Sequence, residues 1–344
     1  MFDAPDADDL RALSARIGAD PLLVQGPGGN TSLKADGLLW VKASGAELAD
    51  ALTRDIFVPV HLPALRAAID RADPACVTSL AFVAQERNKG GLRPSIETTM
   101  HALLAQRVVV HVHCVATLAY AVRQDAEAAL APRLAGLNWI FVPFILPGLP
   151  LAQAIAAKLT PDVNVIVLGN HGLVVAGATA AAAAGLLTDV AGRLDPGATP
   201  GAGPDLAALR RLCAGTDYAP AGDASTHALA LDPARLRDAA CGSLYPDHLI
   251  FLGPSVTVLG DGEALTAALA RAPTPAPLIL APGLGALLPA AASAGAWAMA
   301  RCLGDVLARV PPEAELSTLS PLVEATLLNW DAEKYRRALN AARG

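Results

Sequence analysis

Three histidines stand where their imidazoles can converge. His111 and His113 lie two apart in Val108–Cys114, a run that is otherwise apolar and largely β-branched. In a strand, residues two apart point to one face, so both rings can reach a single metal ion while Val108, Val110, Val112 and Cys114 fill the other face. Burying two polar rings is costly unless something binds them; the alternative is a pair of core histidines bonded to backbone carbonyls. His171 follows a second apolar run, between Asn170 and Gly172, where a sharp turn can aim a side chain outwards. Three neutral imidazoles plus an open position suit catalytic zinc, which polarises oxygen as a Lewis acid. His101, one helical turn after Glu97, is either a rival ligand or a structural residue of its helix; His61, His227 and His248 have no supporting context.

Glu97 is the carboxylate best placed for acid/base work. The alternative is a first-turn glutamate that only complements a helix dipole. The glycine-rich stretch Gln25-Gly26-Pro27-Gly28-Gly29-Asn30-Thr31-Ser32, together with Ser44-Gly45, offers backbone N–H groups and small hydroxyls that can cradle an anion. No Gly-Lys-Ser/Thr follows, so it is not a Walker loop, and tight-turn geometry alone also accounts for the glycines.

The elements that must position these residues are readable in outline. A helix is expected over about 8–17, then a hairpin, Thr31–Lys34 and Leu38–Lys42, around Asp36-Gly37. Helices follow at about 46–51 and 61–71. Pro94-Ser95-Ile96-Glu97 opens a helix to about Gln106 with Ser95 as N-cap. Val108–Cys114 reads as a buried strand, with helices at about 116–122 and 151–158. Strands Val163–Leu168 and Leu173–Ala176 precede an alanine-rich helix, Ala178–Leu194. The Gly/Pro/Ala stretch from Asp195 to about Pro204 marks a boundary, giving domains 1–198 and 199–344. Beyond it, helices are expected at about 205–213, 233–240, 263–271, 293–310 and 321–341, and strands at Leu249–Leu252, Val256–Leu259 and Leu278–Leu280. Irregular alternation of strand and helix argues for α/β or α+β.

Composition sets the outer bounds. Of 344 residues, 53% are hydrophobic and 17% charged, which excludes a disordered chain. With 26 Lys+Arg against 32 Asp+Glu the net charge is −6, so nucleic-acid binding by charge is not expected. Two long uncharged stretches, one between Arg133 and Lys158 and one between Arg271 and Arg301, are interrupted by prolines that a spanning helix cannot accommodate. No membrane partner is therefore expected. The acidic start, Met1-Phe2-Asp3-Ala4-Pro5-Asp6, has no basic region followed by an apolar core, so no secretory signal is expected. Five scattered cysteines, never Cys-x-x-Cys, read as reduced, mostly buried thiols of a cytoplasmic protein.

Six pieces in order resemble the class II aldolase/adducin family: Gly29-Asn30-Thr31-Ser32, Lys42-Ala43-Ser44-Gly45, Pro94-Ser95-Ile96-Glu97, His111-Val112-His113, Val142-Pro143-Phe144 with Pro147-Gly148, and Gly169-Asn170-His171-Gly172. The resemblance covers roughly residues 8–195. Tyr245-Pro246-Asp247-His248, Ala281-Pro282-Gly283-Leu284-Gly285 and the Asn329-Trp330 region resemble the continuation of longer members, among them the aldolase part of bifunctional rhamnulose-1-phosphate aldolase/dehydrogenases.

The resemblance implies a three-layer α/β/α fold around a mixed central sheet, with a smaller α/β C-terminal region. It implies zinc, or another divalent metal in its place, on His111, His113 and His171, and Glu97 as acid/base. It implies retro-aldol cleavage of a ketose or ketose phosphate through a zinc-stabilised enediolate. Gly29, Asn30, Ser44, Gly45 and Ser95 match substrate- and phosphate-binding positions. Ile96 stands where short members carry a second serine, which removes one phosphate hydroxyl. No tyrosine falls at the spacing of the one some members bring from a neighbouring subunit, and Tyr120 reads as core. A decarboxylase or epimerase of a sugar acid would use the same metal site. A non-catalytic adducin-like binding protein would have lost the histidines, which this chain keeps. The apolar excess is read as buried strands, alanine-rich helices and the contacts of a homo-oligomer.

Overall fold

In the computed structural model, which describes residue 2 and residues 4–199, 201–272 and 277–329, the β-branched run expected to carry two histidines lies at the middle of a sheet. The strands are β1 (Asn30–Ala35), β2 (Leu38–Lys42), β3 (Phe57–His61), β4 (Val108–Val112), β5 (Trp139–Val142), β6 (Val165–Leu168) and β7 (Gly172–Gly177), in the order β3-β2-β1-β4-β7-β6-β5. All pairs are antiparallel except β5 with β6, so the seven-stranded sheet is mixed. The β1–β2 hairpin closes on Asp36 and Gly37, both at positive φ (51° and 75°), the backbone a two-residue turn of this hand requires.

Helices before residue 195 are α1 (Ala7–Gly18), α2 (Leu62–Asp70), α3 (Thr98–Leu103), α4 (Val115–Ala121), α5 (Ala126–Leu130), α6 (Leu149–Ala156) and α7 (Ala180–Leu194). Thr31 bonds to Ser14 of α1, while its neighbour Ser32 bonds to His101 of α3. Alternate residues of β1 thus face helices on opposite sides. α1 and α7 cover one face and α2, α3 and α6 the other, which makes three layers. Val109, Ile166, Leu168 and Val174 pack with Met100, Leu104, Leu151 and Ile155 on the α3/α6 side. α7 forms because Ala180, Ala183, Leu187, Val190 and Leu194 bury one stripe at three- and four-residue spacing.

The chain divides into two compact units: Met1–Thr117 with Glu127–Leu194, and Leu118–Ala126 with the chain from Asp195 on. Residues 118–126 join the second unit through backbone bonds. The Gln124 N–H donates to Glu315 O (2.9 Å) and the Ser317 N–H to Val122 O (2.7 Å). The second unit contains α8 (Leu206–Leu212), β8 (Tyr218–Pro220), α9 (Ala224–Leu231), α10 (Pro233–Ala239), α11 (Pro246–Leu252), β9 (Thr257–Val258), α12 (Leu265–Arg271), β10 (Ile279–Ala281), β11 (Gly285–Pro289), α13 (Ala294–Leu307) and α14 (Pro321–Asn329). Its strands run β8-β11-β10-β9, with β9–β10 parallel. α9 packs on β10 and β11, and α13 lies against α9 so closely that a Cβ at Gly304 would overlap the Ser225 carbonyl.

Several expectations are corrected. Leu249–Leu252 is the end of helix α11, not a strand; all seven residues of α11 are buried, so no polar face betrays the helical period. The 46–51 helix is a 3₁₀ segment, Leu48–Leu52. The helix expected from Pro94 begins only at Thr98, because Pro94 bridges Ala43 and the Ser95 N–H donates to Lys42 O, holding that segment extended beside the sheet. Ser95 is therefore not its N-cap; Glu97 occupies that position. Strands β3, β5, β8 and β11 and helices α5 and α9 have no counterpart among the expected elements, and β3 contains Pro59, tolerated at a sheet edge. The expected final helix beyond Asn329, with Trp330, lies outside the described residues. Among the described residues no helix is long and apolar enough to cross a membrane. Cys76, Cys114, Cys213 and Cys302 are buried free thiols and Cys241 is an exposed one.

Candidate functional site

β4 carries His111 at the sheet's centre, paired with Asn30 of β1 on one side and Val174 of β7 on the other. Because cross-strand partners share a face, His111, His113 and Asn30 all look toward the α3 layer. Two glycines let the neighbours approach: at Gly29 (φ 61°) a Cβ would stand 2.8 Å from His111 O, and at Gly172 it would overlap Val112 O. His171 leaves β6 through a turn with Asn170 at φ 51°, its own N–H donating to Leu168 O.

These elements bring His111, His113 and His171 together. Their ring centroids are 5.0–5.3 Å apart, and one nitrogen of each lies within 4.8 Å of the others. All three are buried. Among the described residues this is the one cluster of three potential ligands so arranged. His111 Nδ1 lies 3.0 Å from Leu173 O, and a carbonyl only accepts, so Nδ1 carries the proton and Nε2 the lone pair. That Nε2 is buried with no hydrogen-bond partner. Burial, with the His171 and His113 rings, pushes His111 down to about 3 despite the Glu97 charge. A neutral imidazole with a buried, unpaired nitrogen beside two others is the donor set a divalent cation takes, so the residues present fit a metal.

Glu97 stands over this group. Oε1 is 3.3 Å from His171 Nε2 and has no hydrogen-bond partner, while Oε2 is 3.5 Å from His111 Nε2. Burial works to raise the Glu97 carboxyl, but the His111 and His171 rings, the Asn30 amide and His113 outweigh it and hold it at about 2. Asn30 Nδ2 donates to Glu97 Oε2 (2.7 Å) and to Ser95 Oγ (3.2 Å), and Ser95 Oγ also accepts from the Glu97 N–H (3.2 Å). Gly29 thus acts as the backbone support of Asn30. Ser44 and Gly45 (φ 74°) form a turn that runs beside residues 93–95, the Ser44 N–H donating to Arg93 O. The structure gives them no direct bond to Glu97 or the imidazoles among the described contacts. Tyr120 is buried, with the Arg123 guanidinium over its ring.

Three further residues, His101, Ser32 and Lys42, support the site. His101 is not in the three-histidine group; its Nε2 bonds Asn30 Oδ1 and its Nδ1 lies 2.7 Å from Ser32 Oγ. Burial, with Lys34 and the His111 ring nearby, pushes it down to about 3, against the pull of Glu97. Lys42, fully buried, donates to Pro27 O at 2.7 Å and fixes the glycine-rich turn. The available signals were spacing: His101 one turn from Glu97, and Ser32 two residues from Asn30 on one strand face.

Residues 9–191 match the family model for the class II aldolase and adducin N-terminal domain. A Bacillus subtilis (strain 168) protein described as the uncharacterized oxidoreductase YuxG is 30% identical over 186 residues. That match spans 50% of this chain and 26% of YuxG, about a quarter of the relative's length. Among solved structures, the N-terminal class II aldolase domain of a conserved Thermoplasma acidophilum protein is 31% identical, covering 56% of this chain and 93% of that one at a TM-score of 0.49. L-fuculose-1-phosphate aldolase from Thermus thermophilus is 18% identical, covering 54% and 89% at a TM-score of 0.38. The family match alone takes in more than half of the chain, including every residue of the histidine–glutamate cluster: the chain belongs to the class II aldolase and adducin family.

Proposed function

We propose that this protein is a divalent-metal-dependent aldolase, a carbon–carbon lyase that cleaves a ketose or ketose phosphate by a retro-aldol reaction. His111, His113 and His171 hold the metal, zinc or another divalent ion. Bound there, the metal supplies Lewis-acid polarisation of substrate oxygens. Glu97 is the acid/base: Asn30 occupies Oε2, and Oε1 is left to take a proton from a substrate hydroxyl and return it to the departing carbon fragment. Gly29, Asn30, Ser44, Gly45 and Ser95 form the wall against which the substrate's polar end is held. The dry setting of the three imidazoles strengthens each of these interactions.

The observation that carries this reading is the unpartnered Glu97 Oε1 lying 3.3 Å from His171 Nε2 beside the three-histidine group. The test is metal content and release of two carbonyl fragments from ketoses and ketose phosphates, before and after chelation. One equivalent of divalent metal and chelator-sensitive cleavage are expected. Activity indifferent to the chelator in a metal-free protein refutes the reading. Release of CO₂ from a 3-oxo acid, or epimerisation without cleavage, would replace it with a decarboxylase or epimerase using the same residues.

A further inference from the structure

His101 is buried, lies outside the three-histidine group, and sits between Ser32 and Asn30. The direction of each bond in this chain is dictated by chemistry. A carboxylate such as Glu97 only accepts, so the Asn30 atom 2.7 Å from Oε2 must be the NH₂ group. Its carbonyl oxygen then faces His101, and an amide oxygen also only accepts, so His101 Nε2 must be the donor. In a neutral ring Nδ1 is then the acceptor, and Ser32 Oγ donates to it at 2.7 Å. The result is one directed chain: Ser32 O–H to His101, His101 N–H to Asn30, and Asn30 N–H to Glu97 and Ser95.

We infer that His101 is a positioning residue that, through Asn30, pins Glu97 Oε2 and thereby selects Oε1 as the oxygen available to substrate. An asparagine amide rotated by half a turn would present its oxygen to the carboxylate, and the two acceptors would push Glu97 off the imidazoles. His101 prevents that rotation by donating to the amide oxygen from a ring locked between β1 and α3. The same bonds use both hydrogens of Asn30 Nδ2, on Glu97 and Ser95, so the side-chain amide acts on the carboxylate.

This inference rests on the acid/base reading of Glu97, and its test separates the two. With histidine-selective ¹⁵N labelling of the full chain loaded with zinc, the ring of His101, assigned by its loss in His101→Gln, should be the neutral Nε2–H tautomer. Its Nε2–H resonance should shift in Asn30→Ala. An Nδ1–H tautomer, or a resonance indifferent to Asn30, overturns the relay whether or not any substrate turns over. In kinetics, His101→Leu should lower kcat by about 10–100-fold, the usual scale for partners that orient metal-site groups, with KM and zinc content within about twofold of the parent. His101→Gln, whose amide nitrogen can replace Nε2, should recover most of that loss. The double variant Asn30→Ala/His101→Leu should be no slower than Asn30→Ala alone, since His101 acts through Asn30. Additive losses, or a His101→Leu defect matched by zinc loss, overturn the inference. If His101→Leu does not fold, His101→Gln and the ring tautomer decide it. Absence of any retro-aldol turnover in the parent refutes the aldolase reading while the tautomer measurement still judges the relay.

Discussion

Glu97 meets opposing demands: it is buried, which disfavours its charge, yet the imidazoles and the Asn30 amide keep it ionised. A residue in that position can be neutralised without dismantling the site. Glu97→Gln is expected to keep its metal and lose about 10²–10⁴-fold in turnover, the usual share of a positioned acid/base; metal analysis alongside steady-state kinetics checks this, and undiminished turnover would remove Glu97 from the role. His171→Ala differs, since it deletes a proposed ligand. Orienting partners alone are worth about 10–100-fold in metal affinity, so a larger loss is expected here, read by competition with a chromophoric chelator. Metal affinity unchanged in His171→Ala would exclude that ligand.

At the scale of elements, the site depends on how closely β1 and β7 approach β4. Gly29→Ala places a Cβ 2.8 Å from His111 O at a left-handed backbone position. The expected cost is about 1–3 kcal/mol in stability, read by chemical denaturation, with loss of metal affinity as the Asn30–His111 register shifts. Lys34 of β1 tests the α3 face differently. It is half-buried, donates to Gln106 O, and burial with the Arg66 charge lowers it from its ordinary value to about 7. Between pH 7 and its unfolded value near 10.4 the unfolded chain binds more protons at this site than the folded one, so stability rises with pH across that window. Lys34→Met should flatten the rise between pH 7 and 9 by about 1 kcal/mol, a figure discounted for partial exposure; identical pH slopes in parent and variant would refute it.

At the scale of the whole molecule, the histidine group belongs entirely to the first unit, while the α9–α13 contact belongs to the second. Metal binding stabilises whatever folds around it, so a chelator is expected to lower the thermal transition of the first unit. Gly304→Ala overpacks Ser225 and should cost the second unit about 1–3 kcal/mol. Scanning calorimetry should show the two treatments acting on different components of the transition. Both acting on the same component would refute the assignment.

The amino-acid sequence by itself determined the chemistry available. His-x-His in a β-branched run, Glu97 beside a helix start, and the Asp36-Gly37 hairpin are legible because their causes are local: strand alternation, first-turn position and positive-φ turn residues. α11 was illegible because burial on every side erased its period, and the late start of α3 because backbone bonds to Lys42 and Ala43 overrode a good capping serine. Only the tertiary structure decided which histidines meet. His101 carries the same side chain as His111 and lies nearer to Glu97 in sequence, yet it faces Ser32 and Asn30 while residues 111, 113 and 171 converge. Asn30, Glu97 with His101, His111 and His171 come from four segments: β1, the start and body of α3, β4, and the turn between β6 and β7. Their proton positions follow from which acceptor each happens to face, and packing between distant segments sets that facing.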